Sequence, residues 1–399
     1  MKNNIIVVSL KKNLLPAIFL LFTIFLVIFS RSNLAAAKNG LSLWANSVVP
    51  ALFPFFIATE LLCCTNMVPL IGRLFKKIMR PLFNVPGEGA FAFLMGVISG
   101  YPTGAKIVSK FREENIVTKE EGERLLAFTN NSGPLFIIAT VGISLFGDTA
   151  TGFLLFFTHV LACISVGIVF RFWKRNPKKD KKSKVISTTS SSIQTKTVSF
   201  SNLGSLLANA IMKSIDTIVM IGGFVVIFSV IISILNQSHV LDFIGKCISP
   251  FFELIGIDRS FSKPFSSGIL ELTNGVKEIS KIATKDLSLS ISLCAFLIGF
   301  GGISVLLQVF SITSKSDVSI KAYFIGKLLH GFFAFIYTYL ITKFIPIFNL
   351  DLSVFSNIST GVSANTSSFS FSPYYIIFLL VVIGLFGSYR IREMIKKEI

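Results

Sequence analysis

Long apolar runs separated by short polar stretches set the plan of this chain. Eight of them, at residues 14–30, 41–64, 124–146, 149–173, 203–235, 287–312, 320–345 and 373–389, approach the roughly 20 apolar residues that carry a helix across a bilayer. The expected fold class is an all-α polytopic membrane protein with about eight transmembrane helices. A ninth run, at 90–98, is too short to cross. It breaks at Ser99-Gly100-Tyr101-Pro102-Thr103-Gly104 and resumes as Ala105-Lys106-Ile107-Val108. Gly and Pro are the strongest local breakers, so this pattern predicts a re-entrant hairpin with a polar tip. Non-helical backbone at membrane depth is tolerated only inside protein or beside a water-filled cavity, which makes the tip a candidate binding site.

The same pattern recurs 171 positions later. Residues 96–110 align without a gap on 267–281, and Gly104, Lys106, Ser109 and Lys110 fall on Gly275, Lys277, Ser280 and Lys281. His159 falls on His330 at the same offset, which marks an internal duplication. A second re-entrant hairpin is therefore expected at 260–281. The spans at 124–146 and 287–312 carry further breaks, at residues 129–134 and at Gly299-Phe300-Gly301-Gly302. Two stretches, 69–83 and 240–255, read as amphipathic helices lying in the interface. Residues 111–123 read as a charged loop, and 203–235 as an interfacial start followed by a span. Pro50 and Pro54 should bend the second span.

Charge then sets orientation. Residues 171–184 hold eight Lys/Arg against one Asp, and Ser, Thr and Gln follow to Ser199, which reads as a flexible cytoplasmic linker. The N-terminus and the basic tail also read as inside. Residues 349–372 contain no Lys or Arg and read as outside. The linker then separates two repeats of opposite sense, the first hairpin opening from inside and the second from outside. The divisions are an N-terminal helix (1–40), a first repeat (41–173), the linker (174–202), a second, inverted repeat (203–346), and an external loop, last helix and tail (347–399). Ala35-Ala36-Ala37 imitates a signal-peptidase site; cleaved or not, residue 40 is expected outside. Composition agrees with a membrane protein: 52% of the residues are hydrophobic and 15% charged, against about a quarter charged in soluble domains. The net charge of +18 lies in loops flanking the spans, so nucleic acid is not the expected partner; the bilayer is.

Paired, inverted, broken helices are the architecture of secondary transporters, with substrate held near the midplane. The candidate site begins with the first tip: Ser99, Gly100, Tyr101, Thr103, Gly104 and Lys106. A lysine in hydrocarbon is costly, so Lys106 should meet substrate or a counter-charge. The second element is Asn130, Asn131, Ser132 and Gly133 before Pro134, where freed N–H groups and a half-helix N-terminus suit an anion. The opposite repeat would close the cavity through Glu271, Thr273 and Asn274 at the second tip, and Gly301, Gly302 and Ser304 at the second break. Glu271 is read either as a site for a coupling cation or proton, or as a partner of Lys277. His159 and His330 read as packed, hydrogen-bonded histidines, with a proton relay as the alternative. Five cysteines lack metal-ligand spacing, and no cofactor is called for. Coupling to H+ or Na+ is left open. Gly100-Tyr-Pro-Thr-Gly-Ala-Lys106 lacks the spacing of a phosphate loop, and Ser144 with His159 lacks an oxyanion hole, so no enzyme is expected.

Three segments carry a family resemblance: Val85-Pro86-Gly87, Gly96-Val-Ile-Ser-Gly-Tyr-Pro-Thr-Gly-Ala-Lys106 and Phe128-Thr-Asn-Asn-Ser-Gly-Pro-Leu-Phe136. The chain resembles the YlbJ (stage V sporulation protein V) family of sporulation integral membrane proteins over most of its length. That resemblance implies paired gate, or nucleoside-recognition, modules and a fold distantly similar to concentrative nucleoside transporters. It further implies the outer forespore membrane of a spore-forming bacterium and passage of dipicolinate from the mother cell toward the forespore. Acidic nucleoside-binding motifs have no clear counterpart at the first tip, which offers Tyr101, Thr103 and Lys106 and suits an anion better. The expected function is thus transport of a small organic anion. The alternatives are transport of a nucleoside-like or other small solute, or a non-transporting scaffold for the spore envelope; a homo-oligomer fits any of them. The orientation has a direct test. Cysteines placed in residues 349–372 should react with an impermeant thiol reagent added outside the cell, and labelling only from the cytoplasmic side would overturn the topology.

Overall fold

A computed structural model of the chain describes residues 2–174, 203–283, 286–314 and 316–344. Most of the linker and the expected loop, last span and tail beyond residue 344 lie outside the described residues. Every element among those described is helical: α1 Lys2–Ile28, α2 Ser30–Leu43, α3 Val49–Cys63, α4 Met67–Phe83, α5 Gly89–Ser99, α6 Thr103–Glu113, α7 Lys119–Thr129 and α8 Thr149–Phe170 in the first half. The second half has α9 Leu203–Gln237, α10 Val240–Leu254, α11 Ser262–Leu270, α12 Leu272–Lys281, α13 Leu287–Phe300, α14 Gly302–Thr313 and α15 Ile320–Phe344. Two wide-turned π segments, Trp44–Val48 and Leu135–Leu145, precede α3 and α8. Four helices are long and apolar enough to cross a membrane, and six if each bent pair counts as one span.

The duplication is visible element by element. Helices α8 and α15 begin at Thr149 and Ile320, a difference of 171. The pair α5–α6 corresponds to α11–α12, and α7 with the Leu135–Leu145 segment corresponds to α13 with α14. The first tip and the two later breaks stop where the chain loses its helical donors or turns left-handed, whereas the second tip breaks at the extended Glu271, φ −144°. Gly100 has φ 81°, Gly301 φ 85° and Gly302 φ 80°, values a side chain would resist. Pro134 supplies no N–H, and Asn130 runs extended at φ −93°, ψ 97°.

Several expectations change. The run at 14–30 is the end of α1, and the chain turns by 98° into α2. The Asn33 amide clasps this turn, donating to Phe25 O at 3.0 Å and to Leu26 O at 3.4 Å. Ala35-Ala36-Ala37 lies within α2, a helix packed on α9. The second span is not a single straight helix from residue 41. Its backbone is already helical at Ser30, it widens before Pro50, where Val49 N bonds Trp44 O, and α3 bends by 84° into α4. Residues 111–123 are mostly helix, because Thr118 and Glu121 cap α7 reciprocally, at 3.2 and 2.9 Å. Helix α9 is one unbroken helix of 35 residues rather than an interfacial start plus a span, about 50 Å long. In α4 the apolar stripe expected from the sequence is Leu70, Leu74 and Ile78; Leu70 and Leu74 face outward and Ile78 is half-buried, while Val68, Gly72, Met79 and Phe83 pack inward. The core joins α4 to α8 and α15 through Phe83, Phe91, Phe111, Phe128, Phe170 and Tyr323.

Small residues bring the helices close enough to place the site, as expected where lipid offers no hydrophobic drive to association. A Cβ on Gly326 of α15 would stand 2.7 Å from Ala127 O of α7, and one on Gly331 2.8 Å from Phe296 O of α13. Helix α15 therefore crosses both broken elements at close range. The second hairpin is as tight, since a Cβ on Gly275 would land on the Gly268 backbone. Gly275→Ala should consequently lower stability by about 1–3 kcal/mol. Gly223→Ala, with nothing within 4 Å, should be neutral or stabilise α9 by up to about 1 kcal/mol. Thermal unfolding of the detergent-solubilised proteins measures both.

Candidate functional site

The site grows from two carbonyls that the breaks leave without helical donors. In an unbroken helix Asn130 O would accept the N–H of residue 134, but residue 134 is proline. The Lys327 ammonium of α15 takes that place at 3.1 Å. Ile298 O would accept from residue 302, but the chain turns left-handed at Gly301. The Tyr101 hydroxyl from the first tip donates to it at 2.9 Å, and Ser132 Oγ reaches it at 3.5 Å. Each break is thus completed by side chains from the other repeat.

Around this frame the first tip and first break press together. A Cβ on Gly100 would stand 2.7 Å from Gly133 N, and one on Gly104 would land on Thr129 O. Asn130 receives Ala105 N–H at 3.4 Å and donates to Tyr323 Oη at 2.9 Å. Asn131 donates to Phe128 O at 3.0 Å. The duplicated histidines meet, with ring centroids 4.3 Å apart. His330 Nε2 donates to His159 O at 3.0 Å, and Lys327 donates to His330 Nδ1 at 3.2 Å. His159 Nε2 accepts the Ser132 N–H at 3.2 Å. The Lys327 ammonium also lies 5.1 Å over the Tyr101 ring, a cation–π contact. Among the described residues seven buried side-chain polar atoms lack a partner, and five belong here: Ser99 Oγ, Thr103 Oγ1, Thr129 Oγ1, Asn131 Oδ1 and His159 Nδ1. Buried polar atoms are nearly always hydrogen-bonded, so such a concentration marks a place built for something polar.

Other candidates lie differently. Lys106 takes the counter-ion role: its ammonium pairs with Glu60 of α3 at 2.8 Å and donates to Thr217 of α9 at 3.0 Å. Its charge is thereby cancelled away from the tip. The Gly100 N–H bonds Gly96 O at 3.1 Å, so it is not a free donor in this conformation. Glu271 caps its own helix, accepting Thr273 N at 3.0 Å and Asn274 N at 2.9 Å, while Lys277 is exposed, so that pairing is absent. The second tip packs on Gly302, whose Cβ would stand 3.2 Å from Leu272 N, and Ser304 accepts from Gln308 at 3.5 Å. At the far end of α6, Arg112 grips both oxygens of Asp317 at 2.7 and 3.2 Å. The guanidinium holds the Asp317 carboxyl below its usual range. That tie is present above the ordinary carboxylate pKa and is lost as the pH falls through the lowered one.

Comparison with known proteins decides the family. Residues 45–173 and 218–316 match the Gate family, described as nucleoside recognition. The chain is 34% identical over 337 residues to the sporulation integral membrane protein YlbJ of Bacillus subtilis (strain 168), covering 83% of this chain and 82% of that protein. The chain belongs to the YlbJ family of sporulation integral membrane proteins. No solved structure matches it. As a YlbJ-family member it carries two Gate segments, one holding the first tip, the first break and His159, the other the second tip and second break. Lys327 and His330 lie beyond both segments.

Sequence reasoning passed over Lys327 and Glu60. A lysine inside an apolar span, one turn before His330, was a sufficient signal for the first. The internal alignment does not point to it, because the equivalent position in the other repeat, 156, is Phe. Glu60 lies inside the run at 41–64, and only packing shows that it faces Lys106. Removing one member of that pair strands the other, at a cost of about 1.5–3 kcal/mol for a hydrogen bond to a charged group. Lys106→Met should therefore lower the unfolding temperature, and Glu60→Gln combined with Lys106→Met should recover part of the loss. Differential scanning fluorimetry in detergent reads both.

Proposed function

We propose that this protein carries a small organic dianion across the membrane, with dipicolinate moving from the mother cell toward the forespore across the outer forespore membrane as the first candidate. Family membership supports the sporulation setting, and the substrate class rests on one observation. Lys327 is 1% exposed, and no carboxylate pairs with it among the described residues; its partners are a carbonyl, an imidazole and a ring face. An isolated buried cation is expensive unless its charge is used. A bound carboxylate would balance it. Helix α6 and the Leu135–Leu145 segment both begin beside Lys327's partners, and each N-terminus adds roughly half a positive charge. Unpartnered hydroxyls of Ser99, Thr103 and Thr129 are available to hydrogen-bond carboxylate oxygens.

Binding requires the tip and the break to part, because Gly100 and Gly133 touch in the conformation described. Such parting, from one side and then the other, is the alternating access that inverted repeats permit. In this reading the chain is a carrier and not an enzyme. A scaffold would have no use for a buried, uncompensated lysine. Vesicles containing the purified full chain should accumulate labelled dipicolinate. Lys327→Met should reduce that uptake by at least about 10-fold, the effect of losing one hydrogen bond to a charged group, at equal protein content. Normal uptake by Lys327→Met would place the site elsewhere, and normal dipicolinate in spores of a deletion strain would favour the scaffold.

A further inference from the structure

We propose that His159 takes up a proton when the transported dianion claims the Ser132 N–H, so that the dianion and a proton occupy the site together. This inference rests on the transport reading above. It starts from charge. A dianion against the single Lys327 ammonium would leave net negative charge at membrane depth, where an uncompensated ion costs several kcal/mol. Lys106 cannot supply the missing charge, because Glu60 neutralises it.

The hydrogen bonds assign the two imidazoles different capacities. His159 O can only accept, so His330 Nε2 carries the proton and His330 Nδ1 offers its lone pair to Lys327. Protonating His330 Nδ1 would set two cations 3.2 Å apart. His159 is the reverse case. The Ser132 N–H can only donate, so His159 Nε2 holds a lone pair and the ring proton sits on Nδ1, which is buried and unpartnered. Ser132 belongs to the break, the one extended segment beside Lys327, and its N–H is a natural donor for a carboxylate oxygen. When the carboxylate takes that N–H, Nε2 loses its partner. It then binds a proton from water on the side of entry and becomes an imidazolium. Release of the anion returns the N–H to Nε2 and expels the proton. Lys327 and His159 together then balance the dianion.

The groups around His159 leave few alternatives. Helix α15 presents His330 and Lys327 to it, Tyr101 lies against Lys327, Tyr323 bonds Asn130, and Cys163 lies one turn further along α8. None of these is a carboxylate. The acids of α7 belong to its first turns, with Glu121 on Arg80 and Glu123 on Trp173 and Lys174. Asp286 caps the start of α13, and α4 turns Arg80 toward Glu121.

The test is titration calorimetry on the purified full chain, with dipicolinate added near neutral pH, where it is fully ionised, in buffers of different ionisation enthalpy. About one proton should be taken up per dipicolinate bound, and affinity should rise by about 10-fold for each unit fall in pH above the imidazole's ordinary range. His159→Gln retains an acceptor for the Ser132 N–H but cannot titrate, so its affinity should be flat with pH and its proton uptake near zero. Dipicolinate binding to the wild type with no proton uptake overturns the inference and leaves the transport reading standing, as does undiminished uptake by His159→Gln. Absence of any dipicolinate binding by the wild type overturns both. Absence of proton uptake by the wild type overturns the inference even where the variant does not fold, and the variant assigns the proton to His159 rather than to Lys327.

Discussion

A helix that breaks inside a membrane leaves carbonyls with no water to satisfy them, and the centre of this protein is arranged around that constraint. Asn130 O and Ile298 O lose their helical donors to Pro134 and to the left-handed turn at Gly301. Lys327 of the second repeat serves the first, and Tyr101 of the first repeat serves the second. Neither broken helix is complete without the other repeat. The crossing of α15 over α7 and α13, made close by Gly326 and Gly331, is what brings these donors within reach.

The same arrangement places charge. The two repeats descend from one pattern, yet the central lysine occurs in only one of them. His159 and His330 keep their equivalence and lie against each other with their rings tilted by 35°, whereas position 156 is Phe where 327 is Lys. A symmetric frame with an asymmetric charge gives a site that is cationic without being doubly so. The Lys106–Glu60 pair is the contrasting case. It joins the first hairpin to α3 and, through Thr217, to α9, so its contribution is to hold the hairpin. Arg112 and Asp317 tie the other end of α6 to the segment before α15. The first hairpin is therefore held at its base by Arg112 and just past its tip by Lys106, while the tip itself meets the break through backbone contact.

Local chemistry was legible in the residues themselves. Gly100 with Pro102, the Asn130–Pro134 run and Gly301-Gly302 announce their breaks because glycine and proline act on their own backbone, and the structure breaks at each of them. The duplication was equally plain, because a fixed offset needs no tertiary information. Periodicity placed the amphipathic helices α4 and α10, although the face α4 buries is not the one its apolar stripe indicated. The sharp turn after Ile28 is not legible in the apolar pattern; the contact that clasps it is a side chain, Asn33, reaching back eight residues to Phe25 O.

Partners were not legible. The pairing of Lys106 with Glu60, the capping of Glu271 on its own helix, and the seat of Lys327 at Asn130 O all depend on which helices lie side by side, and a linear pattern carries no record of that. A lysine in an apolar run says only that some compensation exists. Whether the compensation is a carboxylate, a carbonyl or a bound anion is decided by packing over distances such as the 197 positions between Asn130 and Lys327. The sequence by itself therefore determined an all-helical membrane protein with two related halves and the places where its helices break. The tertiary structure alone decided which charge stands uncompensated at the centre, because that is a property of neighbours in space.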